Sequence, residues 1–257
     1  GDRLEMQLCG WGEGEECWII EHRVIPGDPK KPDVWRDLDS ELERRRKTKS
    51  GYDLAIIQCT IIDSGDGKTQ KEVYRYVIPR QRKKVFASKG EGQIGHPLIN
   101  QTPPTKFAKR REPVWLVHIG VDTAKDMIFD RCAMTEIGPK YVHFSTALSA
   151  EWFNQLAAEE KKDVTVSGRM ETRWTQVRAR NEALDCFVMN LAAVTLIRPQ
   201  WDVLRESRKP AEPEPEQEPE RPNTWTPSQP PKLAAPSPRP GRPPRAPRVS
   251  KFTNWRG

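Results

Sequence analysis

The amino-acid sequence predicts a mixed α/β domain over residues 1–205 and a disordered proline-rich tail over 206–257. Three observations carry this. Residues 54–62 are almost continuously apolar, with Ala55, Ile56, Ile57, Ile61 and Ile62, which reads as a strand buried on both faces beneath helices. Leu184, Phe187, Val188, Leu191 and Val194 recur at three- and four-residue spacing and predict one long helix with an apolar stripe. Fourteen of the 24 prolines lie between Pro210 and Pro247, a stretch too poor in large apolar residues to offset its ordering entropy.

The elements follow in order. Leu4, Met6 and Leu8 alternate with Glu5, Gln7 and Cys9, the period of a half-buried strand. Gly10-Trp11-Gly12-Glu13-Gly14 predicts a turn and residues 17–25 a second strand, so the chain opens with an antiparallel hairpin. Residues 33–47 read as a helix capped by Asp33, with Trp35, Leu38 and Leu42 on one face and Arg44, Arg45 and Arg46 at the end the helix dipole favours. The 54–62 strand stops at Asp63-Ser64-Gly65. Residues 69–76 predict a short helix and 85–87 a strand, completing a strand–helix–strand unit. Residues 89–113 read as a long basic loop, and loops of that length are usually functional or disordered. Residues 114–121 return as a strand, 122–134 and 149–161 as helices, 164–174 as a hairpin and 181–197 as the long helix. This order builds a mixed sheet with helices on its faces.

The 257 residues carry 43 Lys plus Arg against 36 Asp plus Glu, a net charge of +7. From Arg208 onward ten Lys or Arg stand against five Glu, so the tail holds most of the excess. It reads equally as a solubilising tether or as a segment that docks on phosphates or acidic surfaces. No run of about 18 apolar residues occurs, which argues against a transmembrane helix. The first residues lack a hydrophobic signal region. Five scattered cysteines without a Cys-x-x-Cys pair argue against a zinc site or a disulfide framework, and predict an intracellular chain with reduced thiols.

Asp63 is the most informative polar residue. It ends a buried strand, where α/β folds place their sites, and Gly65 leaves room for a ligand. The plain alternative is a turn aspartate. Asp185 stands three residues after Glu182 at the start of the long helix and beside its apolar stripe, so it is expected to be partly buried and to need a cation or donor. Acidic enrichment at a helix start explains it otherwise. Asp122 is weaker, because N-capping accounts for it. His96, His118 and His143 lack ligand spacing and read as structural. Lys89, Lys106, Lys109, Arg110 and Arg111 lie in the basic loop, which beside converging carboxylates suits a phosphodiester: the acids hold divalent ions and the bases grip the backbone.

These segments together resemble the C-terminal nuclease domain of lambda-type phage terminase large subunits. The stretches that carry the resemblance are Asp2-Arg3-Leu4-Glu5-Met6, Gly10-Trp11-Gly12-Glu13-Gly14-Glu15-Glu16 with Trp18, Asp63-Ser64-Gly65, Val73-Tyr74 and Lys89-Gly90. They continue with Gly120-Val121-Asp122-Thr123-Ala124-Lys125, His143-Phe144, Leu156 with Ala158-Glu159-Glu160, and Arg180-Asn181-Glu182-Ala183-Leu184-Asp185-Cys186-Phe187-Val188, the most specific block. The resemblance implies a ribonuclease-H-like mixed sheet and an endonuclease that cuts concatemeric double-stranded viral DNA with two Mg²⁺ or Mn²⁺ ions. It gives Asp63 and Asp185 metal-ligand roles, Asp122 an auxiliary one, and Lys125 and Arg180 phosphate contacts. It also implies a terminase small subunit and a capsid portal as partners, the portal through the tail, in the cytoplasm of an infected or lysogenic bacterial host.

The family's first acid and first strand match nothing here and are expected just before Gly1, and the ATPase motif Gly-x-x-x-x-Gly-Lys-Ser/Thr does not occur. Two further readings stand beside the nuclease. One is a catalytically incomplete module that binds DNA or the portal by charge. The other is a different ribonuclease-H-like nuclease, a resolvase or transposase.

Overall fold

The alternation at the start of the chain becomes strand β1 (Arg3–Trp11), paired antiparallel with β2 (Cys17–Pro26) across a 3₁₀ turn at Glu13–Glu15. Gly14 in that turn has φ +66°, and a Cβ there would lie 2.8 Å from Pro139 Cβ, so a larger residue is excluded. The register skips Ile20, which falls between the pairs Cys9–Ile19 and Leu8–Glu21. This bulge reverses the facing of β2 along its length. Cys17 and Ile19 therefore enter one core and Ile25 the other, although all three are odd-numbered.

The computed structural model describes residues 2–47, 51, 56–92, 95–101, 113–166 and 168–206. They fall in one unit, Gly1–Lys209, and the proline-rich segment from 207 onward lies outside them. Helix α1 (Pro32–Glu43) follows the hairpin, then β3 (Thr60–Asp63), α2 (Gln70–Val77), β4 (Val85–Glu91), β5 (Ile99–Gln101), β6 (Leu116–Gly120) and α3 (Val121–Cys132). The remainder is β7 (Val142–Phe144), α4 (Ala150–Leu156), the hairpin β8 (Glu159–Val166) with β9 (Arg169–Gln176), α5 (Glu182–Ile197) and α6 (Trp201–Glu206). β7 joins β2 in parallel, giving a sheet of order β1-β2-β7. A second sheet has order β3-β4-β6-β5, parallel except for β5.

Two cores cover the two faces. On one, Phe187, Leu184 and Leu191 of α5 pack with Ile128 of α3 and Trp152 of α4, against Cys17, Ile19, Val117 and Ile119 of the strands. On the other, Val34, Trp35 and Leu38 of α1 meet Val73, Tyr76 and Val77 of α2, over Ile25, Val85 and Ala87. Each core draws on both sheets, so the chain is a mixed α/β body with helices on its faces. β1 and β3 each end a sheet, and α5 packs on both. A polar tie crosses the first core: Trp152 Nε1 donates to Gln7 Oε1 at 3.1 Å, and Asn190 Nδ2 donates to the Gln7 carbonyl at 3.1 Å.

Several expectations need correction. Among the described residues the strand expected over 54–62 is only Thr60–Asp63, and Ile56 is 65% exposed. Its two-faced character holds for Ile61 and Ile62, which face opposite cores. Lys31, not Asp33, is the α1 N-cap, because Pro32 takes the first helical position its fixed φ suits. The helix ends at Glu43, since Arg44 and Arg46 leave it to pair with Glu21 and Glu41. The helix expected over 149–161 ends at Leu156, and Glu159 already begins β8. Gly120, not Asp122, is the N-cap of α3. Part of the loop expected over 89–113 is strand: Lys89 to Glu91 belong to β4, and β5 follows.

Phe187 has no exposed surface at the centre of the first core. Phe187→Ala is expected to cost about 3–5 kcal/mol, roughly 10 °C in melting temperature. A thermal melt that moves by less than about 2 °C would place the core elsewhere.

Candidate active site

Asp63 is fixed by the way β3 ends. Ser64 is buried, and its Oγ and backbone N–H both donate to the Ser88 carbonyl, at 2.6 and 3.0 Å, fastening the strand end to β4. The Gly65 N–H donates to Asp63 Oδ1 at 2.9 Å. A Cβ at Gly65 would stand 3.2 Å from that oxygen, so the glycine keeps the carboxylate free of crowding. Asp63 shares the strand face of Ile61, two residues before it, and so points to the α5 side of the sheet.

Asp185 comes to the same side from the first turns of α5. Asn181 is the N-cap by backbone, and its carbonyl accepts from the Asp185 N–H at 3.1 Å. Its side chain does not cap. Asn181 Nδ2 instead donates to Glu159 Oε1 at 2.9 Å, while Gln155 Oε1 accepts from the Ala183 N–H at 3.3 Å. Glu159 Oε2 in turn holds Lys125 Nζ of α3 at 2.5 Å, with both side chains almost fully buried. Four elements thus meet: the end of β3, the start of α5, the root of β8 and the first turns of α3.

The electrostatics register that convergence. The Asp185 side chain reaches solvent but has dense protein around it. Desolvation pushes its carboxyl up from the ordinary 3.8 to about 6; Lys125 opposes this, while Glu159, Asp63 and Glu182 add to it. A second network lies beside it on β1. Glu5 Oε1 accepts from Arg3 Nε at 2.6 Å and from Arg180 at 2.5 Å, and Arg3 and Arg180 each also reach Glu182 at 3.3 Å. Glu5 Oε2 and His22 Nε2 face each other at 3.3 Å, buried and without a hydrogen bond. Burial holds the His22 imidazole below its usual range, with Glu5 pulling the other way.

The anticipated residues divide. Asp63 and Asp185 are brought together. Asp122 lies in the first turn of α3, at the end its dipole makes favourable for a carboxylate. Lys125 is buried in its pair with Glu159 rather than open to a phosphate, and Arg180 is held by Glu5 and Glu182. Lys89 is exposed, but strand alternation turns it to the face opposite Asp63, whose register partner is Ser88. Lys106, Lys109, Arg110 and Arg111 lie outside the described residues. His96 and His118 both bind Glu91, at 2.9 and 2.7 Å, and His143 binds Glu16 at 2.6 Å. Glu159 and Asn181 were missed as site residues. The sequence reading runs a helix through Glu159, over 149–161, and begins the long helix at Asn181, singling out neither.

Among the described residues no three His, Cys, Asp or Glu side chains are grouped to hold a metal ion. Asp63 and Asp185 still supply hard oxygen donors, and Mg²⁺ commonly takes one or two carboxylates, several waters and substrate phosphates. The donor chemistry therefore fits a divalent ion of that class.

The raised Asp185 carboxyl has a defined sign. The folded chain holds that proton more tightly than the unfolded one, so the contribution is fully present below the ordinary 3.8 and is lost as pH rises through about 6. Asp185→Asn is expected to be the more stable protein at pH 8, by about 1 kcal/mol once solvent access is discounted, with no advantage at pH 3.5. Urea midpoints of both proteins at the two pH values test this; parallel behaviour would remove Asp185 from the charged cluster.

Comparison with known proteins places the sequence in a family. The family model for the endonuclease domain of the terminase large subunit gpA matches residues 1–206. The chain is 32% identical over 213 residues to the terminase large subunit of Escherichia phage lambda, covering 79% of this chain and 32% of that protein. It is 28% identical over 221 residues to the terminase large subunit of Enterobacteria phage P21, covering 81% of this chain and 33% of that one. The chain thus spans about a third of the length of these relatives. No solved structure matches it. Matched from its first residue to α6, this chain is a member of the gpA terminase large-subunit endonuclease-domain family.

Proposed function

We propose that the chain is a metal-dependent endodeoxyribonuclease domain that hydrolyses phosphodiesters of concatemeric double-stranded viral DNA during genome packaging, on a ribonuclease-H-like scaffold. The observation that carries this is the convergence of Asp63 and Asp185, from the end of β3 and the start of α5, within one acidic cluster. Asp63 and Asp185 hold Mg²⁺ or Mn²⁺ as two of its protein ligands, and Asp122 is an auxiliary acid. The bound ions supply Lewis acidity at the phosphodiester.

The chain's own residues do the rest. Gly65 and the buried Ser64 aim Asp63, and the Asn181–Glu159 bond and the Gln155 contact fix the turn that carries Asp185. Lys106, Lys109, Arg110 and Arg111 grip the DNA backbone, and Lys89, on the opposite face of the sheet from Asp63, lies off that path. The tail from 206 onward, acidic and then basic, docks on the capsid portal, and a terminase small subunit directs the domain to its cut site in the bacterial cytoplasm. Among the described residues no helix is long and apolar enough to cross a membrane.

A second reading has its own observation. Among the described residues no three acids are grouped to hold a metal ion, so a module that binds DNA or the portal by charge, without cutting, is the alternative. Plasmid cleavage in Mn²⁺ separates them. Asp63→Ala and Asp185→Ala are each expected to lower the rate by about 4 kcal/mol of transition-state stabilisation, roughly a thousandfold, while leaving DNA retention intact. Cutting that survives both substitutions sinks the site. Salt-sensitive, Mn²⁺-independent binding with no cutting by the parent chain establishes the binding module instead.

A further inference from the structure

Lys125 occupies a costly place. It lies almost fully buried on α3, between Ala124 and the apolar side that carries Ile128, and among the described residues its ion pair is with the equally buried Glu159. A buried ion pair rarely adds stability over an apolar pair of the same volume, because both charges lose their water. Architecture alone therefore gives little reason for a lysine there. The position of the pair gives one. Glu159 is bound on its other oxygen by Asn181, one helical turn before Asp185. The pair is thus tied directly to the turn that carries the second acid.

We propose that Lys125 is a positioning residue that balances the charge of the site: its ammonium neutralises Glu159 and keeps that carboxylate from joining Asp63 and Asp185 as a metal ligand. This rests on the reading of those two aspartates as the acids that hold divalent ions. Three carboxylates bind a cation more tightly than two, but tight binding by an added ligand distorts the two-acid arrangement. The ammonium occupies the space and the charge that an extra ion or ligand would claim. Consistent with this, Lys125 opposes the upward shift of the Asp185 carboxyl, whereas Glu159 and Asp63 promote it. Asn181 and Lys125 between them engage both Glu159 oxygens, so each already has a donor.

The test is a charge cycle read by Mn²⁺ affinity, from the EPR signal of free Mn²⁺ titrated with the full chain. Lys125→Met uncovers Glu159 and is expected to tighten Mn²⁺ binding by about tenfold. Glu159→Gln keeps the shape and the Asn181 bond but leaves the ammonium uncompensated beside the acids, and is expected to weaken binding by about the same factor. The double substitution restores the net charge and is expected to fall within about threefold of the parent. A merely structural role predicts both single changes in the same direction, through loosening of the site, and that result overturns the proposal. So does an unchanged affinity in both. Circular dichroism reports folding; if Lys125→Met does not fold, Glu159→Gln and the double variant decide alone. Asp63→Ala and Asp185→Ala separate the two levels. If they leave Mn²⁺ affinity unaltered, the two-acid reading itself is wrong; if they abolish binding while the charge cycle is flat, only the role of Lys125 falls.

Discussion

Helix α5 constrains the rest of the structure. Eight of its sixteen residues are buried, from Ala183 to Val194, so it has to be enclosed rather than laid on a surface. The enclosure comes from β1 and β3 beneath it and from α3 and α4 beside it. Once the apolar body is sunk this way, its polar first turn emerges at one end of the fold, where β3 also ends. The meeting of Asp63 and Asp185 is thus a by-product of burying Leu184, Phe187 and Leu191. No loop conformation is needed to bring them together.

Holding several carboxylates at one spot works against stability, and the surrounding contacts show how the chain contains that conflict. Arg3 and Arg180 cover Glu5 and Glu182, Lys125 covers Glu159, and Asn181 and Gln155 supply uncharged partners. Asp185 is left with an unfavourable environment, which its raised carboxyl reports. A carboxyl raised beside other acids marks Asp185 as a candidate for function rather than for support of the fold. The buried face-off of Glu5 and His22, which lack a mutual hydrogen bond, belongs to the same crowded corner.

Much of this was legible in the sequence, and the failures have physical causes. The opening hairpin and α5 follow from periodicity, because each has an apolar side; the β8–β9 hairpin, anticipated only over 164–174, spans Glu159–Gln176 and is exposed along most of its length. The bulge at Ile20 was invisible, since a single extra residue leaves the apolar count of β2 unchanged while reversing its faces. β7, three residues long and held by parallel pairing to β2, has no local signal at all. The overextended strand at 54–62 came from treating hydrophobicity as burial. Asp63 and Asp185 stand out in the sequence because position in an α/β fold singles them out, whereas Glu159 required knowing that a helix stops at Leu156.

The cations of the described fold are not a uniform basic surface. Arg46 and Arg131 have nearly buried side chains and reach Glu21, Glu41 and Glu15; Arg80 holds Asp39 and lies over the Tyr76 ring, 4.0 Å from its centre. With Arg3, Lys125 and Arg180 they act as internal counter-charges, fixed to particular carboxylates. A phosphate that claimed Arg180 would have to take it from Glu5, whose carboxylate is buried and would be left without that partner. On the proposed reading, attraction for a polyanion falls to other cations, and the sequence concentrates positive charge in residues 106–111 and in the segment beyond 220. Architecture and long-range attraction are assigned to different sets of basic residues, so the acids converge within a rigid, internally neutralised frame while the excess charge remains in other parts of the chain.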